Sequence, residues 1–184
     1  MLDIVLPRGN EAELIEAARE LDWTGLYLAY REPKELPTVP GFETRLALLD
    51  PKAPARLKGK GLILSSASAE AALASPAELV FGLESHAKRD PLTGRASGLN
   101  PTLARFAAQR QKRIGFALRT IIEASNRPML FGRIAQNIVL CQKAKVKMAL
   151  FSLASEPAGL ASPADLASLF RLLGMTRPRD AFLR

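Results

Sequence analysis

Four carboxylates could take part in metal-dependent chemistry, because each lies in or near the end of an apolar run or in the loop after it. They are Asp3, Asp50, Glu84 and Glu123. Barrel enzymes of parallel strands and helices place catalytic groups at the carboxyl ends of the strands, and Mg²⁺ prefers oxygen ligands such as carboxylates. No pair of the four has a spacing diagnostic of a metal site. These carboxylates could be metal ligands, or they could be salt-paired or solvated side chains. The sequence favours the salt-paired or solvated role.

Other catalytic chemistry has few candidates. His86 is the only histidine, which excludes a histidine-rich metal site and argues against a Ser-His-Asp triad. Ser152 and Ser155 follow a strand-like run without a base to activate them, so they are interpreted as turn and cap residues. Cys141 lies on an apolar helix face and is interpreted as a core residue. Neither a P-loop nor a Rossmann glycine pattern is present.

Basic residues offer a better candidate for function, because many of them cluster in the second half of the chain. The cluster comprises Arg105, Arg110, Arg113, Arg119, Arg127, Arg133, Lys143, Lys145 and Lys147. Arginine can hold a phosphate through two parallel hydrogen bonds. Aromatic residues make up only 6% of the chain and rarely alternate with these cations, which disfavours base stacking. The pattern favours folded RNA recognised by its backbone and shape.

The net charge of +8 is unevenly distributed along the chain. Residues 1–85 hold 9 basic and 13 acidic residues, whereas residues 86–184 hold 17 basic and 5 acidic ones. Such an asymmetry is typical of a surface that faces phosphate. A generally basic, solvated surface is the alternative. An anionic membrane is a poorer fit, because the predicted helices bury their apolar faces in a core.

Strands and helices are predicted to alternate along the chain. Predicted strands are Met1–Leu6, Gly25–Tyr30, Thr44–Leu49, Gly61–Ser65, Leu79–Phe81, Ile114–Leu118 and Met148–Leu153. Leu79–Phe81 could also be helical, although its alternation favours a strand. Predicted helices follow Asn10, span Ala67–Ala74, begin at Pro101, cover about Leu130–Ala144 and begin at Pro163. This order predicts an α/β protein, either a TIM-barrel-like fold with about seven mostly parallel strands or an open doubly wound sheet.

Local signals place several boundaries. Asn10, Asn100 and Ser162 are predicted to cap helices, and Gly174 to end the last one in a left-handed conformation. The polar connection 85–97 is expected to be mobile, and the proline-containing stretch 31–41 to be an irregular loop.

Size and composition predict a single domain over residues 1–184, with 48% hydrophobic residues and no apolar stretch of the roughly 20 residues that span a bilayer. No signal peptide or lipidation site is recognised at the N-terminus. One unpaired cysteine suits a reducing cytosol, so a cytoplasmic protein is expected.

Several short motifs in the second half of the chain are shared with a known family. They are Gly98-Leu99-Asn100, Arg119, Arg133 to Lys143, Ser152-Leu153-Ala154, Ser162-Pro163-Ala164-Asp165-Leu166 and Leu173-Gly174-Met175. With these residues the chain resembles archaeal ribonuclease P protein component 3, over roughly its last 85 residues. It departs from the family pattern at Ala161 and at Ala71-Ala72, where arginines are expected.

The resemblance implies a TIM-barrel-like fold, possibly trimmed, and an RNA-binding subunit of the ribonucleoprotein that removes the 5′ leader from precursor tRNA. It implies that the RNA subunit requires the catalytic Mg²⁺, that the polypeptide is non-catalytic and binds no cofactor, and that it pairs with protein component 2 among the other protein subunits. Arg105, Arg119, Arg133 and Lys143 are the predicted RNA or partner contacts, with buried ion pairs as the alternative. A metal-dependent phosphoesterase on the same barrel and an adaptor that binds only protein remain as rival functions.

Overall fold

The computed structural model describes all 184 residues. Its strands are β1 (Leu2–Val5), β2 (Gly25–Tyr30), β3 (Glu43–Leu49), β4 (Leu62–Ser65), β5 (Leu79–Phe81), β6 (Arg113–Ala117) and β7 (Lys147–Phe151). Its helices are α1 (Glu11–Glu20), α2 (Ala69–Ala74), α3 (Pro101–Gln109), α4 (Leu118–Ile122), α5 (Arg127–Ala144) and α6 (Pro163–Leu172). Short 3-10 turns cover Pro54–Leu57, Leu83–Ser85, Pro157–Gly159 and Pro178–Ala181.

The seven strands form one sheet in the order in which they occur in the chain. Every neighbouring pair from β1 to β7 is parallel. A doubly wound sheet would reverse its strand order part of the way across, and no such reversal occurs. The sheet curls into a nearly closed barrel with helices around it, which confirms the predicted TIM-barrel-like α/β fold.

Alternating side chains divide the buried residues into two layers. The inner layer fills the barrel and includes Leu2, Ile4, Ala29, Ala47, Leu64, Leu79, Phe81, Ala117, Ala149, Phe151 and Leu153. The larger layer lies between sheet and helices and includes 32 buried residues. Inside the barrel the rings of Phe81 and Phe151 meet edge to face, with centroids 5.6 Å apart. Gly115 makes room for them, because a Cβ there would lie 2.7 Å from a Phe151 ring carbon.

The gap between β1 and β7 is closed by hydrogen bonds around Asp3. The Leu153 N–H donates to the Ile4 carbonyl at 2.9 Å, and the Leu6 N–H donates to the Ala154 carbonyl at 2.7 Å. Just before these bonds along both strands, the Asp3 carboxylate accepts from the Ser152 N–H at 2.7 Å and also from the Ser152 hydroxyl. Asp3 has no solvent exposure. It therefore acts as a structural element of the barrel seam.

The C-terminal segment 174–184 fixes the amino end of the barrel. The Leu2 N–H donates to the Leu183 carbonyl at 2.9 Å, and the Phe182 ring packs edge to face on Trp23 with centroids 5.5 Å apart. Both aromatic side chains are buried. The last residues of the chain thus belong to the folded unit.

Most predicted elements are confirmed, including the strand at Leu79–Phe81, with shifts at some boundaries. Asn100 and Ser162 cap α3 and α6 as predicted, and Gly174 has a φ of 99°. Asn10 occupies the predicted N-cap position of α1, but its side chain makes no capping bond. Its Oδ1 accepts from the Arg8 N–H at 2.9 Å instead.

Two boundaries in the second half of the barrel differ from the predicted ones. The predicted strand through Leu118 ends at Ala117, and the unpredicted α4 follows it. The predicted helix from Leu130 begins at Arg127, because the Asn126 side chain accepts the Met129 N–H at 3.1 Å.

No helix, including the 18-residue α5, combines the length and apolarity needed to cross a membrane.

Asp3 makes the stability of the barrel dependent on pH. Burial raises the pKa of Asp3 to about 7, against the lowering effect of its bonds from Ser152 and Ile4. A pKa raised by folding stabilises the folded state fully below the unfolded value of 3.8, and this contribution is lost as pH rises through about 7. We expect the stability of the wild type relative to Asp3→Asn to fall between pH 4 and pH 8, by up to roughly 4 kcal/mol.

Denaturant unfolding of both proteins at each pH measures this difference. Glu84, whose pKa burial also raises to about 7, is present in both proteins, so its contribution cancels. A difference in unfolding free energy that stays constant from pH 4 to pH 8 would contradict the assignment.

Candidate nucleic-acid interface

The carboxyl ends of the strands open into a cavity of about 660 Å³, here called the mouth. Its lining includes Leu6, Arg8, Leu49, Ser66, Phe81, Ser85, Arg119, Thr120, Glu123, Ser125 and Leu153. A neighbouring cleft of about 280 Å³ shares Arg8, Arg119 and Glu123 with it. Arg8, Thr120 and Ser125 were not singled out from the sequence. Thr120 and Ser125 border α4, which no sequence signal had indicated, and Arg8 lies in the short turn after β1.

The four candidate carboxylates do not converge at the mouth. Asp3 is occupied in the seam, and Asp50 accepts from the Ser66 N–H at 3.0 Å and from the Ser66 hydroxyl at 2.6 Å. Glu84 is 1% exposed, and Glu123 pairs with Arg119. No group of three or more His, Cys, Asp or Glu side chains could hold a metal ion.

Arg119 is positioned at the mouth by α4, the helix that directly follows β6. Its N–H donates to the Ser152 carbonyl at 3.0 Å, so α4 is tied to the seam. Its Nε donates to the Glu123 Oε1 at 2.7 Å, and the Arg119 side chain keeps 26% exposure. A guanidinium has five N–H donors, so this single contact leaves others free. A role for Arg119 as an RNA or partner contact stays a prediction.

Arg133 does not fit its predicted role as an RNA or partner contact, because it is 1% exposed. Its Nη1 donates to the carbonyls of Glu84 at 2.9 Å and of Ala87. Its Nε donates to the Asp90 carboxylate at 2.8 Å. The alternative of a buried ion pair describes this residue. Arg133 lies on the buried stripe of α5, about one turn from Leu130 and Asn137. Its positive charge alone does not distinguish this buried position from an exposed one.

The connection 85–97, expected to be mobile, is tethered to α5 at several points. Besides Arg133, the Asn137 amide donates to the Ser97 carbonyl at 2.8 Å. The Ala96 N–H donates to Asp90 at 2.8 Å, and this bond, followed by Arg133, lowers the pKa of Asp90. Ser97 is buried. These bonds order the connection along the outside of α5.

Arg105 and Lys143 are exposed, and neither forms an ion pair. Arg105 lies on the outer surface of α3. Lys143 lies in the last turn of α5 and thus at the amino end of the barrel, opposite Arg119. The four predicted contacts therefore do not form one site, and Arg105 and Lys143 stay predictions.

The positive charge is concentrated at the amino end of strands β4 to β7, here called the basic face. Eleven cations lie there: Lys58, Lys60, Arg110, Lys112, Arg113, Lys143, Lys145, Lys147, Arg177, Arg179 and Arg184. The same segments hold only two acidic side chains, Glu78 and Asp180. None of the eleven cations takes part in an ion pair. Eight of these basic residues lie just before apolar strand runs in the sequence, and Arg177, Arg179 and Arg184 lie in the C-terminal segment, whereas the candidate carboxylates lie in or near strand ends.

Comparisons with known proteins give a likeness of fold. No family model and no curated protein matches the sequence. One similar structure is a chain in a cryo-EM structure of archaeal ribonuclease P with mature tRNA, with a TM-score of 0.76, 16% identity, and coverage of 98% of this chain and 86% of that one. Another is histidinol phosphate phosphatase from Lactococcus lactis, complexed with zinc, L-histidinol and phosphate, with a TM-score of 0.64, 8% identity, and coverage of 99% and 95%.

Arg133 is expected to matter for stability. Replacing it by methionine removes its hydrogen bonds to two main-chain carbonyls and to Asp90. We expect a loss of about 2–4 kcal/mol in unfolding free energy, and faster proteolysis within residues 85–97. Denaturant unfolding and limited proteolysis measure the two effects. The exposed Arg105→Met is the control, with an expected change below about 0.5 kcal/mol. Equal stabilities of the two variants would disprove the assignment.

Proposed function

We propose that this chain is an RNA-binding protein subunit of ribonuclease P, the ribonucleoprotein that removes the 5′ leader from precursor tRNA. The observation that carries the proposal is the basic face, where eleven cations lie together without an ion pair. Cations left unpaired by their own protein are suited to the phosphates of a nucleic acid. The likeness of fold to a chain of archaeal ribonuclease P, over 98% of this chain, supports the choice of assembly.

In this role the polypeptide neutralises RNA charge and holds the RNA in a productive shape. The catalytic Mg²⁺ would be bound by the RNA subunit, and the protein itself would bind no cofactor. Its partners would be the ribonuclease P RNA, precursor tRNA, protein component 2 and the other protein subunits, in the cytoplasm. Sparse aromatic residues agree with binding to the RNA backbone without base stacking.

A metal-dependent phosphoesterase is the second candidate, since a phosphatase complexed with zinc has a similar fold. This function is disfavoured because its candidate carboxylates have separate surroundings. They are Asp3, Asp50, Glu84 and Glu123. Assay of the purified polypeptide with Mg²⁺ or Mn²⁺, on precursor tRNA and on a generic phosphoester, distinguishes the candidates. Turnover that disappears in Glu123→Ala, with folding retained, would support the phosphoesterase.

The proposed function predicts a conditional requirement for this chain in precursor tRNA cleavage. In a reconstituted holoenzyme, omission of this protein should abolish cleavage at moderate Mg²⁺, and high Mg²⁺ should restore part of it, because both supply positive charge to the RNA. The measurement is the initial cleavage rate across a Mg²⁺ titration. Omission of component 2 is the parallel control. A rate that is independent of this chain at every Mg²⁺ concentration would refute the proposal.

A further inference from the structure

A cleft of about 470 Å³ lies within the basic face, here called the amino-end cleft. It is bounded by the last turn of α5, the first residues of β6 and β7, and the C-terminal segment. Four basic residues line it: Arg113, Lys147, Arg177 and Arg184. Asp180 is its one acidic side chain. The cleft therefore has a clear excess of positive charge.

The walls of the cleft are held in place by the fold. Arg113 and Lys147 are register partners at the start of neighbouring parallel strands. The opposite wall is fixed by Gln142, whose Oε1 accepts from both the N–H and the hydroxyl of Thr176 at 2.9 Å. Its Nε2 donates to the Gly174 carbonyl at 3.3 Å. The cationic groups are thus presented on a preformed surface.

The cleft cations have no anionic partner within the chain. The protein contains four ion pairs, and they use Lys34, Arg45, Arg119 and Arg133. Asp180 lines the cleft without forming an ion pair. Arg119 and Arg133 are neutralised internally, which leaves Arg8 as the one unpaired arginine lining the mouth. All four cations of the amino-end cleft remain available to an external anion.

A second cleft of about 530 Å³ extends the charged surface beyond Arg113. Lys58, Arg110 and Lys112 line it together with one acidic residue, Glu78. The Lys112 Nζ donates to the carbonyls of Ser75 and Ala77, so Lys58 and Arg110 are its freer cations. Burial lowers the pKa of Lys112, and the nearby charges of Arg110 and Lys58 lower it further, against a raising effect of Glu78. These cations therefore repel one another at close range. The two clefts lie on either side of the segment 110–113, so a long anion could contact both, whereas a single phosphate would fill only one.

We infer that the amino-end cleft and its neighbour bind the phosphodiester backbone of RNA, which runs across the segment 110–113. The inference rests on the proposed function and adds the surface that the RNA occupies. The cleft linings contain few exposed aromatic side chains, so the contact is to phosphates and is independent of base sequence. The binding surface then lies at the amino end of the barrel, away from the mouth where barrel enzymes hold their substrates.

Three double variants, each lacking two positive charges, test the location. Lys147→Gln with Arg177→Gln alters the amino-end cleft, and Arg8→Gln with Arg119→Gln alters the mouth. The matched control, Arg31→Gln with Lys52→Gln, removes two exposed cations that form no ion pair. The probes are labelled ribonuclease P RNA and precursor tRNA, measured by fluorescence anisotropy over a range of KCl concentrations. Thermal unfolding verifies that each variant folds.

We expect the cleft variant to bind at least tenfold more weakly at moderate salt. Its slope of log K against log salt should be shallower by about 2, since each removed cation gives up roughly one phosphate contact. The control should stay within about twofold of the wild type. The inference would be overturned if the cleft variant kept the wild-type affinity and salt slope while the mouth variant lost RNA affinity. The proposed function would then still stand. If the wild type binds neither RNA, the proposed function itself fails.

Two further outcomes identify other ligands. If inorganic phosphate at low millimolar concentration displaces RNA from the wild type and protects it against thermal unfolding, the cleft is a site for a small anion and the inference is wrong. If the cleft variant binds RNA normally and loses affinity for component 2, the surface is a protein interface, and the inference is likewise overturned.

Discussion

The barrel depends on one buried carboxylate, Asp3, because seven strands alone leave the edges of β1 and β7 to be joined. Its two oxygens accept from the N–H and the hydroxyl of Ser152 and bridge the strands where their main-chain pairing is sparse. An unpaired buried carboxylate would be strongly destabilising, and here three donors and a raised pKa reduce that penalty. The closed barrel then presents two ends whose surface charges can differ.

The use of Asp3 in the seam also determines what the mouth can do. The Asp3 oxygens already accept hydrogen bonds on the outer side of the barrel wall, so this carboxylate is not among the groups that could face a substrate. The Arg133 side chain is likewise used behind the mouth, where it holds the main-chain carbonyls of Glu84 and Ala87, whereas a buried oxygen of the Glu84 carboxylate has no hydrogen-bond partner. Asp3 and Arg133, which look functional in the sequence, thus have structural contacts. At the opposite end, eleven cations lie without an ion pair, whereas the mouth holds only Arg8 in that state beside the paired Arg119.

The fold was predictable because its signals are local and repeated. Short apolar runs separated by capped helices predict parallel strands, and the caps at Asn100 and Ser162 follow from residue type alone. The site was less predictable, because exposure depends on the rotation of each helix. Arg133 and Lys143 are both basic residues of α5, yet one faces residues 84–90 and the other faces solvent. The closure of the barrel at Asp3 was not predictable from the sequence either, because its partner Ser152 lies 149 residues away.

Charge at the amino end has an energetic consequence for the isolated chain. Eleven cations with two acidic neighbours repel one another, and burial of Lys112 against the Ser75 and Ala77 carbonyls adds a desolvation penalty. Folding has to offset that repulsion, which the buried layers on both sides of the sheet make possible. Substitutions that bring acidic residues to this face would relieve the repulsion, so stability of the chain alone does not favour the arrangement. An anionic partner that spans the clefts would remove the repulsion on binding, and screening by salt would weaken repulsion and attraction together.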